Sequence, residues 1–330
     1  MYKLPFSDQP MVICYQNLAY PLGIIEGNAK LLNEDITPWV IATYTNPFFS
    51  QTASNHYDIC VFDNWGTHEA ILLHQNINIF KRTYYYLGVN IVKDVCTMIK
   101  EGCYVSGIYN EKYIPGKKSY QNRDFNHDYL LYGVDEARKV FISAGYLADG
   151  RYQSFEIPFS SYEQALNSVI GNQMQFNLWS YNHHYRFKKN DERVLRSLND
   201  YRESTTSYDF KREIYYGMEA NRKLKEYFIL VNNSNNPTVD LRYTRAYMEH
   251  KYMLNLSIKY LFETTSINSK VDADIVNCAN EIYQNAIMIH RLGIKFRLYP
   301  QGNMMDRISG LFEKNEMLEL RILDKSLSIK

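Results

Sequence analysis

What this chain has least of is net charge: Lys and Arg number 37 against 36 Asp and Glu, a formal balance of +1. That near-neutrality excludes the general electrostatic attraction to nucleic acid or to an anionic membrane, leaving only local patches to consider. Cysteine is sparse and irregular. Cys14, Cys60, Cys96, Cys103 and Cys278 are odd in number and widely spaced, which excludes a regular disulfide framework and reads as reduced thiols in a cytoplasmic protein. No uncharged apolar run has the length needed to span a bilayer. Residues 1–16 carry Lys3, Pro5, Asp8 and Pro10 where a signal peptide needs an unbroken apolar stretch. The expectation is therefore a cytoplasmic protein with neither a membrane nor a nucleic-acid partner. No Gly-x-Gly-x-x-Gly or Walker-type sequence is present, so no nucleotide cofactor is expected, and no repeat of 20–50 residues is visible.

What is present is material for a large core. With 330 residues, 45% of them hydrophobic, the length suits roughly two domains. Tyrosine is abundant at 30 residues, with Tyr84-Tyr85-Tyr86 in a row; such rings pack while keeping a polar tip. The first half mixes elements. His56 to Phe62 has the aromatic and β-branched character of a strand, and Ile91, Val92, Val95, Met98 and Ile99 recur at helical spacing before Gly102. Strands are expected at 104–109, 129–133, 140–143 and 152–159, then a short helix at 161–170. After about Tyr185 the chain turns to long charged helices near 191–203, 207–229, 239–264, 271–292 and 303–325. Tyr243, Tyr247, His250, Leu254, Ile258 and Leu261 share one face of the third, with Asn236 and Pro237 placed to start it. Gly293 is placed to stop the fourth, with a short strand expected at 294–299. The fold class predicted is α+β, with a first domain over 1–185 and a helical accessory domain over 186–330.

Two positions point to chemistry. Cys14 stands near the start of an apolar segment, and His127 opens the run His127-Asp128-Tyr129-Leu130-Leu131-Tyr132-Gly133-Val134. A cysteine at a helix N-terminus is pushed toward thiolate, and an imidazole on a neighbouring strand can serve as its base. A lone cysteine is more often a small buried apolar residue. The order Cys, a long interval, then His opening a strand–turn–strand unit is that of papain-like cysteine enzymes.

The stretch His127 to Asp135, followed by Val140-Phe141-Ile142-Ser143, Asp149-Gly150-Arg151 and Ser160-Ser161-Tyr162-Glu163-Gln164-Ala165-Leu166, resembles the N-terminal domain of the butirosin biosynthesis protein H family. The likeness covers about residues 10–170 and extends, more narrowly, to amide-forming enzymes of polythioamide biosynthesis. It implies a papain-like cysteine-protease-type core and an acyltransferase. Cys14 would take an acyl group from a carrier-protein thioester, presented on phosphopantetheine, and pass it to a small amine, with His127 moving the protons. No cofactor bound by the chain itself is implied. In the related peptidases an acid ends the strand after the His strand; here Ser143-Ala144-Gly145 occupies that place. Asp149, Asp135 or a residue of the helical half could substitute for the acid missing at Ala144, or the site could run as a Cys-His dyad. Gln9 occupies about the place from which related peptidases supply an oxyanion-binding amide. Pro21 is a second departure, because inside a helix it costs about 3 kcal/mol and kinks the segment.

Two rivals use the same sequence. A cysteine peptidase or thioesterase would employ the identical Cys-His pair, and a non-catalytic binding or scaffold protein would be a degenerate form of the same fold. Other candidates are weaker. His68-Glu69 and His74 are spaced too widely to share a helix face as zinc ligands do, so no metal is expected there. His183-His184 reads as a linker. Arg186, Lys188, Lys189, Arg193 and Arg196 read as a solvated face, with a landing patch for an acidic carrier protein as the alternative.

Overall fold

The structure is a computed structural model and describes residues 1–51, 55–59, 79–85, 90–169, 176–205, 213–234, 237–264, 270–300 and 303–328. In chain order its elements are β1 (Tyr2–Lys3), α1 (Gln16–Leu32), α2 (Thr37–Tyr44), β2 (Phe48–Ser50), β3 (His56–Asp58), β4 (Phe80–Tyr85) and α3 (Ile91–Lys100). There follow β5 (Cys103–Asn110), a 3-10 turn (Glu111–Tyr113), β6 (Asn126–Asp135), β7 (Val140–Tyr146), β8 (Tyr152–Pro158), α4 (Phe159–Asn167) and β9 (Phe176–Tyr181). The remainder is α5 (Asp191–Glu203), β10 (Ile214–Tyr216), α6 (Gly217–Asn232), α7 (Leu241–Thr264), α8 (Lys270–Leu298) and α9 (Met304–Leu327). This mixture of helix and antiparallel sheet is the α+β class that the sequence predicts.

The chain forms two compact units, and their boundary corrects the expected one. Met1–Glu34 and Asn64–Arg186 make the first, while Asp35–Asp63 joins Phe187–Lys330 in the second. The reason lies in α2, which buries Trp39, Val40, Ile41 and Tyr44 against α5 and α7. The strand expected at His56 to Phe62 is β3, and it pairs with β2 in a small sheet of order β10-β2-β3 rather than in the large one. Phe62 lies outside the described residues.

In the first unit a seven-stranded antiparallel sheet runs β4-β9-β5-β6-β7-β8, with β1 pairing β6 beyond the end of the β5 pairing. Strand alternation puts Tyr104 and Val105 on opposite faces. Val105, Tyr109, Tyr129, Leu131, Phe141 and Ile157 pack with Val95 and Ile99 of α3 and Tyr162 of α4. On the face of Tyr104 lies α1, whose buried Asn28 donates from Nδ2 to the Tyr104 hydroxyl (2.8 Å). Tyr132, at the register shift of β6 between Leu131 and Gly133, stacks on Phe6 at 4.6 Å. Burying rings of this size contributes roughly 1.5–3 kcal/mol each, and their hydroxyls need partners. Tyr129 and Tyr162 satisfy each other at 2.7 Å.

The second unit is mainly helical, and three expectations change there. The helix expected over 207–229 starts at Gly217, because Ile214–Tyr216 pairs with β2 and Gly217 turns the chain at φ +59°, a conformation open to glycine. The start expected at Asn236–Pro237 falls at Leu241, where the Asp240 carboxylate accepts the Arg242 N–H (2.9 Å); Asn236 lies outside the described residues. Gly293 does not stop α8, which continues through the segment expected as a strand. A Cβ there would stand 3.0 Å from Thr244 Cγ2, so this glycine serves a close approach of α7 and α8. Inside the bundle Lys251 and Glu319, both fully buried, pair at 2.7 Å, and the Lys251 Nζ also donates to the Tyr201 hydroxyl (2.9 Å). No helix among the described residues is long and apolar enough to cross a membrane.

Candidate active site

Cys14 stands just ahead of α1. The helix begins at Gln16 with Tyr15 extended as N-cap, and the Tyr15 carbonyl accepts the N–H groups of Leu18 (3.1 Å) and Ala19 (3.0 Å). Pro21 is accommodated inside the helix; lacking an N–H, it leaves the Asn17 carbonyl without its usual backbone partner. Cys14 is therefore outside the helix, one residue before its N-cap, a placement that weakens the dipole argument for a thiolate. Its side chain is buried and outside any disulfide. Tyr146, the last residue of β7, holds both flanks of this position. Its hydroxyl donates to the Ile13 carbonyl, and its N–H donates to Gln16 Oε1 (2.8 Å).

His127 is fixed by strand register. β5 and β6 pair so that Tyr109 faces His127, and the 3-10 turn that follows β5 opens on Glu111. Its carboxylate Oε1 lies 2.9 Å from His127 Nδ1. Glu111 is held at the strand's exit, where its N–H donates to the Phe125 carbonyl (2.8 Å) and Asn110 Oδ1 accepts the Lys112 N–H (3.1 Å). Gln16 Nε2 approaches the same ring nitrogen at 3.3 Å, which joins the helix N-terminus following Cys14 to the imidazole. Nε2 of the ring faces Asp128 Oδ1 at 3.3 Å. The ring thus has a carboxylate oxygen near each of its two nitrogens.

Beneath this layer is Lys117, almost wholly buried. Its Nζ lies 3.5 Å from Glu111 Oε1 and donates to the Tyr146 carbonyl (2.9 Å). Burial pushes the ammonium pKa down, and the charges of Glu111 and Asp128 work against that shift. Gly145 permits the approach: a Cβ there would stand 2.6 Å from Gln16 Oε1 and 3.1 Å from Lys117 Nζ. Glu111 is consequently shared between an ammonium and an imidazole. Tyr20, whose hydroxyl donates to the Asp128 carbonyl (3.4 Å), has its phenol pKa raised by burial and then by the Asp128 charge.

The remaining expected residues are elsewhere engaged. The carboxylates at His127 are those of Glu111 and Asp128, whereas Asp149 sits in the β7–β8 turn accepting the Arg151 N–H (3.0 Å). Asp135 is at the opposite end of β6 and accepts the Arg138 N–H (3.2 Å) in the turn. Ala144 lies opposite Leu130 and supplies no acid. Gln9 donates from Nε2 to the Tyr152 carbonyl (2.8 Å), and the amide beside the Cys14 helix is Gln16. Arg186 is paired with Glu34 at 3.1 Å, so it is not an open member of a basic patch. His68, Glu69 and His74 lie outside the described residues. Glu111, Gln16 and Lys117 are the polar residues that sequence reading misses. Gln16, close to Cys14 in the chain, was the one within reach of inspection; the other two depend on long-range register. No protein-family model matches the chain, and no curated protein matches it.

Proposed function

We propose that the chain is a papain-like cysteine acyltransferase that forms amides from carrier-bound acyl thioesters in specialised-metabolite biosynthesis, in the cytoplasm. The observation that carries this reading is the linked array of Glu111, His127 and Gln16 at the N-terminus of the helix that Cys14 precedes. In the proposed reaction His127 takes the Cys14 thiol proton and the thiolate attacks the thioester carbonyl. The pantetheine thiol leaves with the proton from the imidazolium, and the acyl group remains on Cys14. An amine then attacks the acyl-cysteine, its proton passes through His127, and Cys14 is released as a thiol with the amide as product. Glu111 holds the ring and compensates the imidazolium, the duty a family acid would perform from the position of Ala144. A burst of oxyanion charge needs preorganised donors, each worth roughly 3–4 kcal/mol; the Cys14 backbone N–H and the Gln16 amide are the candidates.

Hydrolysis by the same residues is the neighbouring reading, differing only in whether water or amine reaches the acyl-cysteine. Incubation with an acyl-loaded carrier protein and an amine, followed by intact-mass and product analysis, separates the cases. The expected result is an acyl adduct on the wild type, absent in Cys14→Ala, and an amide product. Free acid alone would convert the assignment to a thioesterase, and no adduct with sound substrate would favour a scaffold.

A further inference from the structure

The outer seam between α8 and α9 is a ladder of charge pairs with one rung missing its acid. Asp274 pairs with Arg321, and Glu281 pairs with Lys314 at 2.5 Å. The two pairs set an antiparallel register in which each rung is one heptad from the next. The next rung by that count is Met288 against Arg307. A methionine stands where the first rungs carry a carboxylate, and among the described residues neither Arg307 nor Arg291, one turn beyond Met288 on the same side of α8, is in an ion pair.

The helices leave space at this rung. A groove of about 490 Å³ is lined there by Ile287, Met288, Leu311, Gly310 and the two arginines, within the range of roughly 300–1,000 Å³ typical of small-ligand sites. Gly310 keeps it open. Glycine inside an exposed stretch of helix is unfavourable relative to alanine, and no atom lies within 4 Å of where its Cβ would stand, so packing does not require it. Met288 is 39% exposed on the groove wall.

We propose that this groove binds a small amphipathic anion, a carboxylate or phosphate head on an aliphatic tail. The head supplies the charge that position 288 withholds, bridging Arg307 and Arg291, and the tail lies along Ile287, Met288 and Leu311 in the space above Gly310. Planar guanidinium forks suit either head. The site lies within the helical unit and does not depend on Cys14 chemistry.

The test is calorimetric titration of the full chain with octyl phosphate below its micelle concentration. It is expected to bind at least tenfold more tightly than octanol or inorganic phosphate, and an octanoate titration tells which head is preferred. Met288→Glu, which completes the ladder internally, and Arg307→Gln are each expected to weaken binding tenfold or more. Gly310→Leu should do the same by filling the groove, with a melting temperature at or above wild type showing that the fold is intact. Equal affinity for octyl phosphate, octanol and phosphate would overturn the site, as would unchanged affinity in Met288→Glu.

Discussion

Glu111 has two partners, and its removal has two effects that can be separated. Glu111→Gln leaves the Lys117 ammonium buried opposite a neutral amide, which by analogy with broken buried pairs costs about 3–5 kcal/mol. If Glu111 also positions His127 and balances its charge, as the proposed reaction requires, the same change lowers kcat by about a hundredfold or more. The double variant Glu111→Gln/Lys117→Met decides between structural and positioning roles. Denaturant unfolding should show stability largely regained while turnover stays low, and a turnover that recovers with stability would reduce Glu111 to a scaffold residue. Cys14 and His127 were readable as candidates because thiol and imidazole side chains are recognisable in a sequence. Glu111 was not, because it meets His127 only through the pairing of Tyr109 with His127 across the long 111–125 excursion.

Helices in this chain are bounded by local signals but placed by close contacts. Gly27 of α1 is an example where two effects oppose. Alanine is about 1 kcal/mol better than glycine as a helix former, yet a Cβ at Gly27 would stand 2.4 Å from the Phe6 nitrogen and 2.5 Å from its Cα. Backbone cannot move aside as a side chain can, so overpacking wins. Gly27→Ala is expected to lower stability by about 1–3 kcal/mol in urea unfolding, and because α1 carries the residues after Cys14, to loosen the contact of Gln16 with His127. In the bundle, the buried pair of Lys251 on α7 and Glu319 on α9 tests a different balance. Burial depresses the Lys251 pKa, against the pull of Glu319. Lys251→Met alone strands the carboxylate and should cost about 3–5 kcal/mol, whereas Lys251→Met/Glu319→Leu should recover most of it. A double variant no better than the single would show that the Tyr201 and Tyr247 contacts of Lys251 dominate.

Across the whole molecule, response to acid should be set in the helical unit. His290, half-buried beside Arg245, has its pKa pushed down to about 4 by desolvation and then by that arginine. His250, fully buried, is depressed by burial first and by the Lys251 charge second, and it holds the Thr45 carbonyl through Nε2 (2.7 Å). Both groups fold as neutral imidazoles. The unfolded chain binds their protons first, near pH 6.5, so stability is fully present above that pH and falls as pH drops toward 4. His290 alone accounts for about 3 kcal/mol over this window. Urea unfolding at pH 7 and pH 4.5 checks this: His290→Gln should flatten the dependence, and an equal slope in variant and wild type would count against it.

Local patterns in the sequence were enough to give an α+β protein, its long helices and most of its larger strands, and to single out Cys14 and His127 as candidates. Periodicity, turn residues and capping act within a few residues of themselves. The span predicted at 191–203 coincides with α5, and that at 303–325 matches α9 from Met304 onward, with Asn303 as its N-cap. Folding in three dimensions set what no local pattern contains. It sends Asp35–Asp63 into the helical unit and carries α8 through Gly293. It also brings Glu111, Gln16 and Lys117 around His127. Each of these outcomes depends on which distant surfaces close on one another, and that is decided by burial and register summed over the whole chain.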